Sequence, residues 1–395
     1  MTLTPEEGRR VHVLTLLEGK RIGMGQAAEA LGLTPRQVRR LRVRLRQAGP
    51  AALIHGNRGR RSDRRLPEAL TTQLLALARG RYAGLNDVHL TEKLTTVEGL
   101  VVSRATVQRA LRAAGLSSPR RRRPPRHRSR RPRQPQVGLL CQLDGSPFAW
   151  FGPTEPGCSL LAAIDDATGT VLAATFRAQE DAAGYLTLLH TLATTVGLPA
   201  AVYTDGHGIF VRNDPHWTLA EELQGFQEPT QVGQALQALG IHHIVAESPQ
   251  AKGRIERLWN TLQDRLVAEL RLAGVTTMAA GNTFLATTFL SAFNVQFAVP
   301  PAVAASAYRP VPRGCDLERV CAFHYARQVA LDNTVRVDGV VLQLAPGPHR
   351  RSYARAQVDV VQALDGSWRV YLGDRLVTTT PAPPDPGQLR TRKRR

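Results

Sequence analysis

Three acidic residues stand where carboxylates can converge. Asp144 follows the hydrophobic run LLCQL and Asp205 follows VYT, and each precedes a glycine, where a strand usually turns away. Glu256 lies in the stretch Ser248–Leu266, SPQAKGRIERLWNTLQDRL, which has the spacing of a helix. Two strand ends and a following helix can bring these oxygens together, and hard divalent cations prefer such ligands. The pattern predicts a metal site without a nucleophilic side chain.

The helix around Glu256 has one apolar face. Its members are Ile255, Leu258, Leu262 and Leu266, at spacings of three, four and four. Glu256 lies one residue, or about 100°, from Ile255. We therefore expect its carboxylate at the border of the buried face, half sheltered but directed into a cleft.

Basic residues flank this acid, and each feature also has a simpler interpretation. Lys252, Arg254 and Arg257 surround Glu256, and on this stretch alone they could form a surface salt-bridge cluster. Each Asp-Gly pair could be an ordinary turn. All three acids together, in this order and on these elements, favour metal binding. Two Mg²⁺ or Mn²⁺ ions about 3.5–4 Å apart can activate a water or a 3′-hydroxyl and stabilise the leaving oxygen of a phosphodiester.

Other residues near the site are assigned structural roles. Asp165 and Asp166 belong to a hairpin turn, and Trp259 is expected in the core rather than stacked on a base. Glu247 precedes Pro249 on a loop and ranks far behind Glu256 as third acid. His242 and His243 are expected to be structural rather than metal ligands, and Ser146 has no nearby base, which disfavours serine chemistry.

The net charge of +20 is concentrated in the first third of the 395 residues. Residues 1–136 carry 30 Lys and Arg against nine Asp and Glu, whereas the remainder is nearly neutral. This asymmetry predicts a polyanionic partner, most simply nucleic acid. No run of 18 apolar residues and no signal peptide is present, so no membrane association is expected. The four cysteines lack zinc spacing, which predicts reduced thiols in a cytosolic protein.

Two helical units in this basic third are candidates for DNA binding. GMGQAAEALGLTPRQVRRLRVRLRQAG has the layout of a helix-turn-helix, and its second helix is opened by Thr34 and closed by Gly49. The candidate contacts on that helix are Arg36, Gln37, Arg39 and Arg40. SRATVQRALRAAG, with Arg104, is a second candidate recognition helix. An ordinary helical hairpin and a structural bundle are the respective alternatives.

A basic linker follows the second unit. Residues 117–136 read SSPRRRRPPRHRSRRPRQPQ and contain nine arginines and no acid, so they cannot form a core. Their arginines, including Arg121, Arg122 and Arg123, are expected to lie along phosphates with salt-sensitive affinity. Composition alone also allows a nuclear-localisation signal.

From Val137 the pattern changes to strands and helices, and near the end to short strands with Asp-Gly turns at Asp338 and Asp365. These signals predict an α/β core and a small β-barrel. The predicted domains are residues 1–58 and 64–116, two helix-turn-helix units; 117–136, the basic linker; 137–299, the α/β core; 300–322, a connector; 323–380, the β-barrel; and 381–395, a basic tail.

The motifs QLDGS, TDG and SPQAKGRIERLWNTLQDRL, in this order, resemble the DDE transposase and retroviral-integrase superfamily, and more narrowly the bacterial ISNCY-type insertion-sequence transposases. The resemblance covers nearly the whole chain, and SPQxKGRxER is its specific motif. It implies a ribonuclease H-like core, and a catalytic metal-binding triad of Asp144, Asp205 and Glu256. It also implies DNA contacts near the site, made by Lys252, Arg254 and Arg257.

The resemblance implies metal-dependent cleavage at insertion-sequence ends, followed by attack of the new 3′-hydroxyl on target DNA. It further implies duplex DNA as partner, a homodimer or larger synaptic assembly, and a bacterial cytoplasmic, nucleoid-associated location. One alternative is a DNA-binding regulator with an inert integrase-like domain, which the presence of all three acids disfavours. Another is an RNA-cutting nuclease of the same fold, which the paired helix-turn-helix units disfavour.

Overall fold

A computed structural model describes most of the chain as two compact units, Met1–Leu74 and Leu75–Arg395. It describes residues 3–54, 58, 66–117, 131–212, 215–246, 253–347, 351–384, 389 and 391. Among the residues singled out above, Glu247, Ser248, Pro249, Lys252 and Arg121 to Arg123 lie outside these ranges. Within them, no helix combines the length and the apolar character needed to cross a membrane.

The first unit contains the predicted helix-turn-helix. Its helices are α1 (Pro5–Glu18), α2 (Met24–Leu31) and α3 (Pro35–Ala48). Gly32 ends α2 with φ of 62°, and Thr34 caps α3 with a capping box completed by Gln37. Val38 of α3 is fully buried with Leu14 of α1 in a core of their own. The turn and the caps are local signals, and they set the angle between α2 and α3.

The second helical unit consists of α4 (Glu68–Arg79), α5 (Asp87–Thr96) and α6 (Arg104–Ala113). Asn86 caps α5 through two backbone N–H groups, and Ser103 caps α6 as predicted. Asp87 and Arg112 form an ion pair at 2.6 Å between α5 and α6. The two helices therefore form one packed pair.

The α/β core is built on a five-stranded sheet. Its strands are β2 (Cys141–Phe148), β3 (Cys158–Asp165), β4 (Val171–Arg177), β5 (Ala201–Thr204) and β6 (His242–Val245), in the order β4-β3-β2-β5-β6. The first three strands form an antiparallel meander, and β5 and β6 continue parallel to β2. A short parallel pair, β1 (Gln136–Val137) and β7 (Val303–Ser306), lies apart from it. β7 falls in the segment 300–314, where the sequence predicted only a connector.

Helices cover both faces of this sheet. α7 (Ala182–Thr195) and α9 (Gln231–Ala238) bury one face, and α10 (Gly253–Leu272) with α12 (Leu290–Phe297) buries the other. Alternate residues of β3 confirm the layering, because Leu161 packs on the first face and Leu160 on the second. The fold is thus a three-layer α/β arrangement with α10 across β2.

Two segments differ in detail from what their sequences indicate. The sequence of residues 281–299 predicts one helix, and the structure has α11 (Met278–Phe284), a π-helical turn (Leu285–Phe289) and α12 there. The sequence of residues 208–234 predicts an irregular insertion, but this segment contains α8 (Leu219–Gln224) and the first turn of α9. Thr218 caps α8 with a capping box, a short local signal that the irregular composition around it obscures.

The C-terminal region is not a closed barrel in the described strands. These are β8 (Phe323–Gln328), β9 (Thr334–Val337), β10 (Val340–Gln343), β11 (Gln357–Gln362), β12 (Trp368–Leu372) and β13 (Arg375–Thr379), preceded by α13 (Leu317–Val320). They form a four-stranded antiparallel sheet, ordered β13-β12-β11-β8, and a separate hairpin, β9-β10. The prediction of a small β-barrel is therefore not confirmed. Turn dipeptides predict which strands are consecutive but not which edges pair.

We predict opposite effects for alanine at two glycines of the first unit. Gly32→Ala places a side chain in the left-handed region and should lower the free energy of unfolding by about 1 kcal/mol. Gly8→Ala, in α1 with open space around the new Cβ, should raise it by about 0.4–1 kcal/mol. Chemical denaturation of the full chain measures both, and equal losses would contradict the turn geometry.

Candidate active site

Adjacent parallel strands bring Asp144 and Asp205 to the same level of the sheet. Cys141 pairs with Val202 and Gln142 with Tyr203 in the parallel register of β2 and β5. Asp144 and Asp205 each follow the last residue of their strand in this pairing by two positions, and the charges of both act on the same carboxylate, that of Glu180. Both aspartates are half-buried. The structure therefore brings these two predicted acids together.

A ladder of three contacts attaches α10 to β2. Gln142 accepts a hydrogen bond from the Ile255 backbone N–H at 3.3 Å, and Asp144 accepts one from the Trp259 indole N–H at 2.8 Å. Ser146 accepts a third, from the Gln263 amide, at 3.2 Å. Every second strand residue meets every fourth helix residue because two strand residues span about 6.7 Å and four helix residues about 6.0 Å. We call these three contacts the β2–α10 ladder.

Glu256 lies on the turn of α10 that forms this ladder. It is three residues before Trp259, so their Cβ atoms are neighbours on the helix surface, about 5–6 Å apart. Since the Trp259 indole contacts the Asp144 carboxylate, the ladder puts Glu256 on the part of α10 nearest that aspartate. Glu256 is exposed rather than half sheltered, which is a correction to the expected burial.

The donor chemistry of this site fits a hard divalent cation. Asp144, within β2, and Asp205, directly after β5, offer carboxylate oxygens, the ligands that Mg²⁺ and Mn²⁺ prefer. Within the described parts of the chain, however, no three His, Cys, Asp or Glu side chains already form a cage for an ion. A third carboxylate would have to reach the two aspartates by side-chain rotation.

Glu180 is a fourth acid at this site, and the sequence analysis missed it. Its carboxylate contacts Gly145, where an added Cβ would lie 2.7 Å from it. Burial raises the pKa of Glu180, and the charges of Asp144 and Asp205 raise it further, against the hydrogen bond that Tyr185 donates. The only sequence signal is an acid directly before Asp181, the N-cap of α7.

Tyr185 holds the Glu180 carboxylate from the core side. Its ring is fully buried and packs edge-on against Phe210 at 4.5 Å between ring centroids. Burial and the neighbouring acid raise the pKa of the Tyr185 phenol, so it stays a hydrogen-bond donor. A groove of about 820 Å³ begins at Glu180 and His207 and runs along the rim of the site.

Arg254, predicted to contact DNA, has internal partners instead. Its guanidinium donates to Asp166 at 2.7 Å and to the Arg131 backbone carbonyl at 2.8 Å. Asp166 is completely buried and also accepts from the Arg131 guanidinium and the Gln142 amide. Burial lowers the pKa of Arg254 despite this carboxylate. The geometry gives Arg254 a structural function, the anchoring of the first turn of α10.

The other predicted DNA contacts that the structure describes lie on exposed surfaces. Arg36, Arg39 and Arg40 are exposed on α3, and Arg104 and Arg257 are exposed on the first turns of α6 and α10. Gln37 is exposed as well, but its amide oxygen accepts a hydrogen bond from the Thr34 backbone N–H at 2.9 Å. Part of its side chain is therefore committed to the capping box.

The residues assigned structural roles have internal partners. Asp165 accepts from the backbone N–H groups of Ala167 at 2.9 Å and Gly138 at 2.8 Å. Burial lowers the pKa of His243, whose Nε2 lies 2.8 Å from the Thr204 hydroxyl. All four cysteines are free thiols, and burial raises the pKa of Cys141 to about 12.

Comparison with known proteins gives three kinds of match. Residues 10–71 match the family model described as a winged helix-turn helix. The chain is 38% identical over 311 residues to y4bF of Sinorhizobium fredii, which is named as a candidate transposase, covering 79% of this chain and 66% of that protein. It is 28% identical over 402 residues to the transposase for insertion sequence IS1202 of Streptococcus pneumoniae, covering 93% and 84%.

Solved structures add little to this. The catalytic core domain of HTLV-2 integrase in complex with magnesium is 15% identical, over 39% of this chain and 89% of that one. The TM-score of 0.27 is too low to support an argument.

We predict that Gly145 is required to admit Glu180 beside Asp144. In Gly145→Ala the new Cβ would lie 2.7 Å from the Glu180 carboxylate and 2.9 Å from the Leu161 side chain. Such overpacking should lower the free energy of unfolding by about 1–3 kcal/mol. Gly208→Ala, with open space around its Cβ, is the matched control. Equal stabilities in chemical denaturation would refute the contact.

Proposed function

We propose that this chain belongs to the DDE transposase and retroviral-integrase superfamily and is a DNA transposase. In this proposal the enzyme cleaves the ends of an insertion sequence and transfers the resulting 3′-hydroxyl to target DNA. The observation that carries the proposal is the β2–α10 ladder, which brings the helix of Glu256 onto the strand of Asp144, next to Asp205. Activity at DNA also agrees with the charge of the first third of the chain.

Asp144, Asp205 and Glu256 are the residues that would hold two Mg²⁺ or Mn²⁺ ions. When bound, such ions supply Lewis-acid activation of a water or 3′-hydroxyl and stabilise the leaving oxygen. Asp144 is oriented for this by the Trp259 indole at 2.8 Å. Asp205 is oriented by the His207 backbone N–H, which donates to it at 3.1 Å. Rigid support of this kind keeps carboxylates in a productive geometry.

The basic surfaces would hold the DNA. In this proposal α3 enters the major groove with Arg36, Arg39 and Arg40 at its exposed first turns. Arg104 on α6 and Arg257 on α10 would contact further phosphates. The arginines of the basic linker and Lys252 would also contact phosphates. We further propose a homodimer or larger synaptic assembly, acting on the bacterial nucleoid, because two element ends must be held together.

We predict that single changes in the proposed triad abolish cleavage but not binding. Asp144→Asn, Asp205→Asn and Glu256→Gln each remove one charged oxygen ligand without changing side-chain size. Cleavage of a duplex carrying the repeats that flank this gene, with Mg²⁺ or Mn²⁺, should fall on the order of 10²-fold or more. End binding, measured by mobility shift, should change less than about threefold, because the proposed end contacts lie elsewhere.

Glu155→Gln provides the control for this experiment, because it is the same chemical change at an exposed acid that is not part of the β2–α10 ladder. It should cleave like the parent protein. A triad variant that cuts at the parental rate would remove that residue from the site. Specific end binding without cleavage by the parent protein, with either metal ion, would instead favour a regulator with an inert core.

The salt dependence of DNA binding tests the assignment of α3. Arg36→Ala, Arg39→Ala and Arg40→Ala should each weaken end binding and reduce the slope of log K against log salt by about 0.9 for each phosphate that the variant no longer neutralises. Arg46→Ala on the same helix is the control, because its guanidinium already pairs with Glu18 at 2.7 Å. An unchanged slope in all three variants would exclude α3 as the phosphate-contacting element.

A further inference from the structure

A partly buried set of polar contacts joins α5 to α10. The Glu92 carboxylate of α5 accepts hydrogen bonds from both terminal nitrogens of the Arg265 guanidinium of α10, at 2.6 and 2.9 Å. One turn further along α10, Glu269 lies 2.7 Å from His89 Nε2 and 2.7 Å from Lys93 Nζ. We call these five residues the α5–α10 clamp: His89, Glu92, Lys93, Arg265 and Glu269.

The charges of the clamp specify one register between the helices. On α5 the acid Glu92 lies between His89 and Lys93 in the sequence. On α10 the cation Arg265 is followed by the acid Glu269 four residues later. A slip of one turn would set Glu92 against Glu269, two like charges. Opposed charges at one register and like charges at the next are a means of specifying a single docking geometry.

The clamp is desolvated enough for these charges to matter. His89 is 1% exposed, and its Nδ1 has no hydrogen-bond partner among the described residues. Burial by itself would raise the pKa of Glu92, but the Arg265 guanidinium lowers it overall, and His89 and Lys93 do the same for Glu269. Ion pairs in such surroundings interact more strongly than pairs on an open surface.

Contacts around the clamp extend the attachment. Arg271 donates to the Ala83 backbone carbonyl at 2.7 Å, and Asn86, the N-cap of α5, donates to Asp264. Gln296 of α12 donates to Glu92 at 2.7 Å. Because Asp87 and Arg112 tie α6 to α5, the candidate recognition helix is held in the same body as α10.

We propose that the α5–α10 clamp makes α5 and α6 a fixed part of the catalytic body, so that DNA held by α6 is presented to the acids of the same chain. This inference rests on the proposed transposase function. Arg265 is nine residues from Glu256, about 14 Å along the helix, which corresponds to roughly four base pairs of duplex. The clamp residues are therefore positioning residues, which set the distance between the DNA contact of α6 and the cut.

Charge reversal tests the clamp in the full-length protein. Glu92→Arg and Arg265→Glu each set like charges together, whereas the double variant restores an opposite pair. The rate of amide hydrogen exchange in residues 86–113, measured by mass spectrometry in the absence of DNA, should increase about tenfold or more in each single variant. In the double variant it should return to within about threefold of the parent. Glu318→Arg reverses the charge of an exposed acid that pairs with Arg369, outside the clamp. It is the control for the effect of charge reversal alone.

Cleavage of the repeat-bearing duplex is mapped to the nucleotide in the same variants. The single variants should cut about tenfold or more slowly or at shifted positions, and the double variant should recover both rate and position. Parental exchange in the single variants would overturn the docking. Accelerated exchange with unchanged rate and cut position would overturn the positioning role.

The two hypotheses can fail separately. A parent protein that cuts no DNA would contradict the transposase proposal, whereas the exchange measurement still decides whether the clamp docks α5 and α6. If a reversal prevents folding, Glu92→Gln and Arg265→Gln remove the pair without like-charge repulsion. They should accelerate exchange of residues 86–113 in the same direction, and parental exchange in both would overturn the clamp.

Discussion

The match between two periodicities underlies the candidate site. A strand advances about 6.7 Å in two residues and a helix about 6.0 Å in four, so β2 and α10 can keep contact over three successive positions. Gln142, Asp144 and Ser146 use this match. The middle contact is made by Asp144 itself, so the hydrogen bond that aligns the helix also orients an acid of the site. Packing and chemistry therefore depend on the same side chain.

The start of α10 is held by a second constraint, the buried carboxylate of Asp166. It accepts hydrogen bonds from the side chains of Arg131, Arg254 and Gln142. These bonds connect the end of the basic linker, the first turn of α10 and the strand of Asp144. An uncompensated charge at such a position would cost about 3–5 kcal/mol. The three partners thus favour one arrangement of linker, helix and strand, and Glu256 follows two residues after Arg254 in that arrangement.

Local signals made much of this structure predictable. Thr34 and Gly32 mark the helix-turn-helix because caps and left-handed turns depend on a few adjacent residues. The strand before Asp205 ends where the sequence predicts, at Thr204. The strand of Asp144 does not end there, because its pairing with β3 continues through Asp144 to Phe148. The helix of Glu256 followed from apolar spacing, and its buried residues include those predicted.

Long-range partners were not predictable in the same way. Arg254 has the sequence context of a DNA-facing cation, but the fold brings it to Asp166, 88 residues away. Glu180 has no motif, since its place beside Gly145 arises from the approach of one loop to the sheet. The open C-terminal sheet differs from the expected barrel for a related reason, because edge pairing depends on the whole sheet and not on its turns.

The first unit encloses its own core, in which Leu14, Val38 and Leu53 are almost completely buried. A module with an independent core can be exchanged without repacking its neighbours. Grafting a different sequence reader in place of residues 3–54, which contain α1 to α3 and this core, should therefore leave the α/β layers intact. Such chimeras would offer a route to retargeting this scaffold, with recognition and chemistry modified independently.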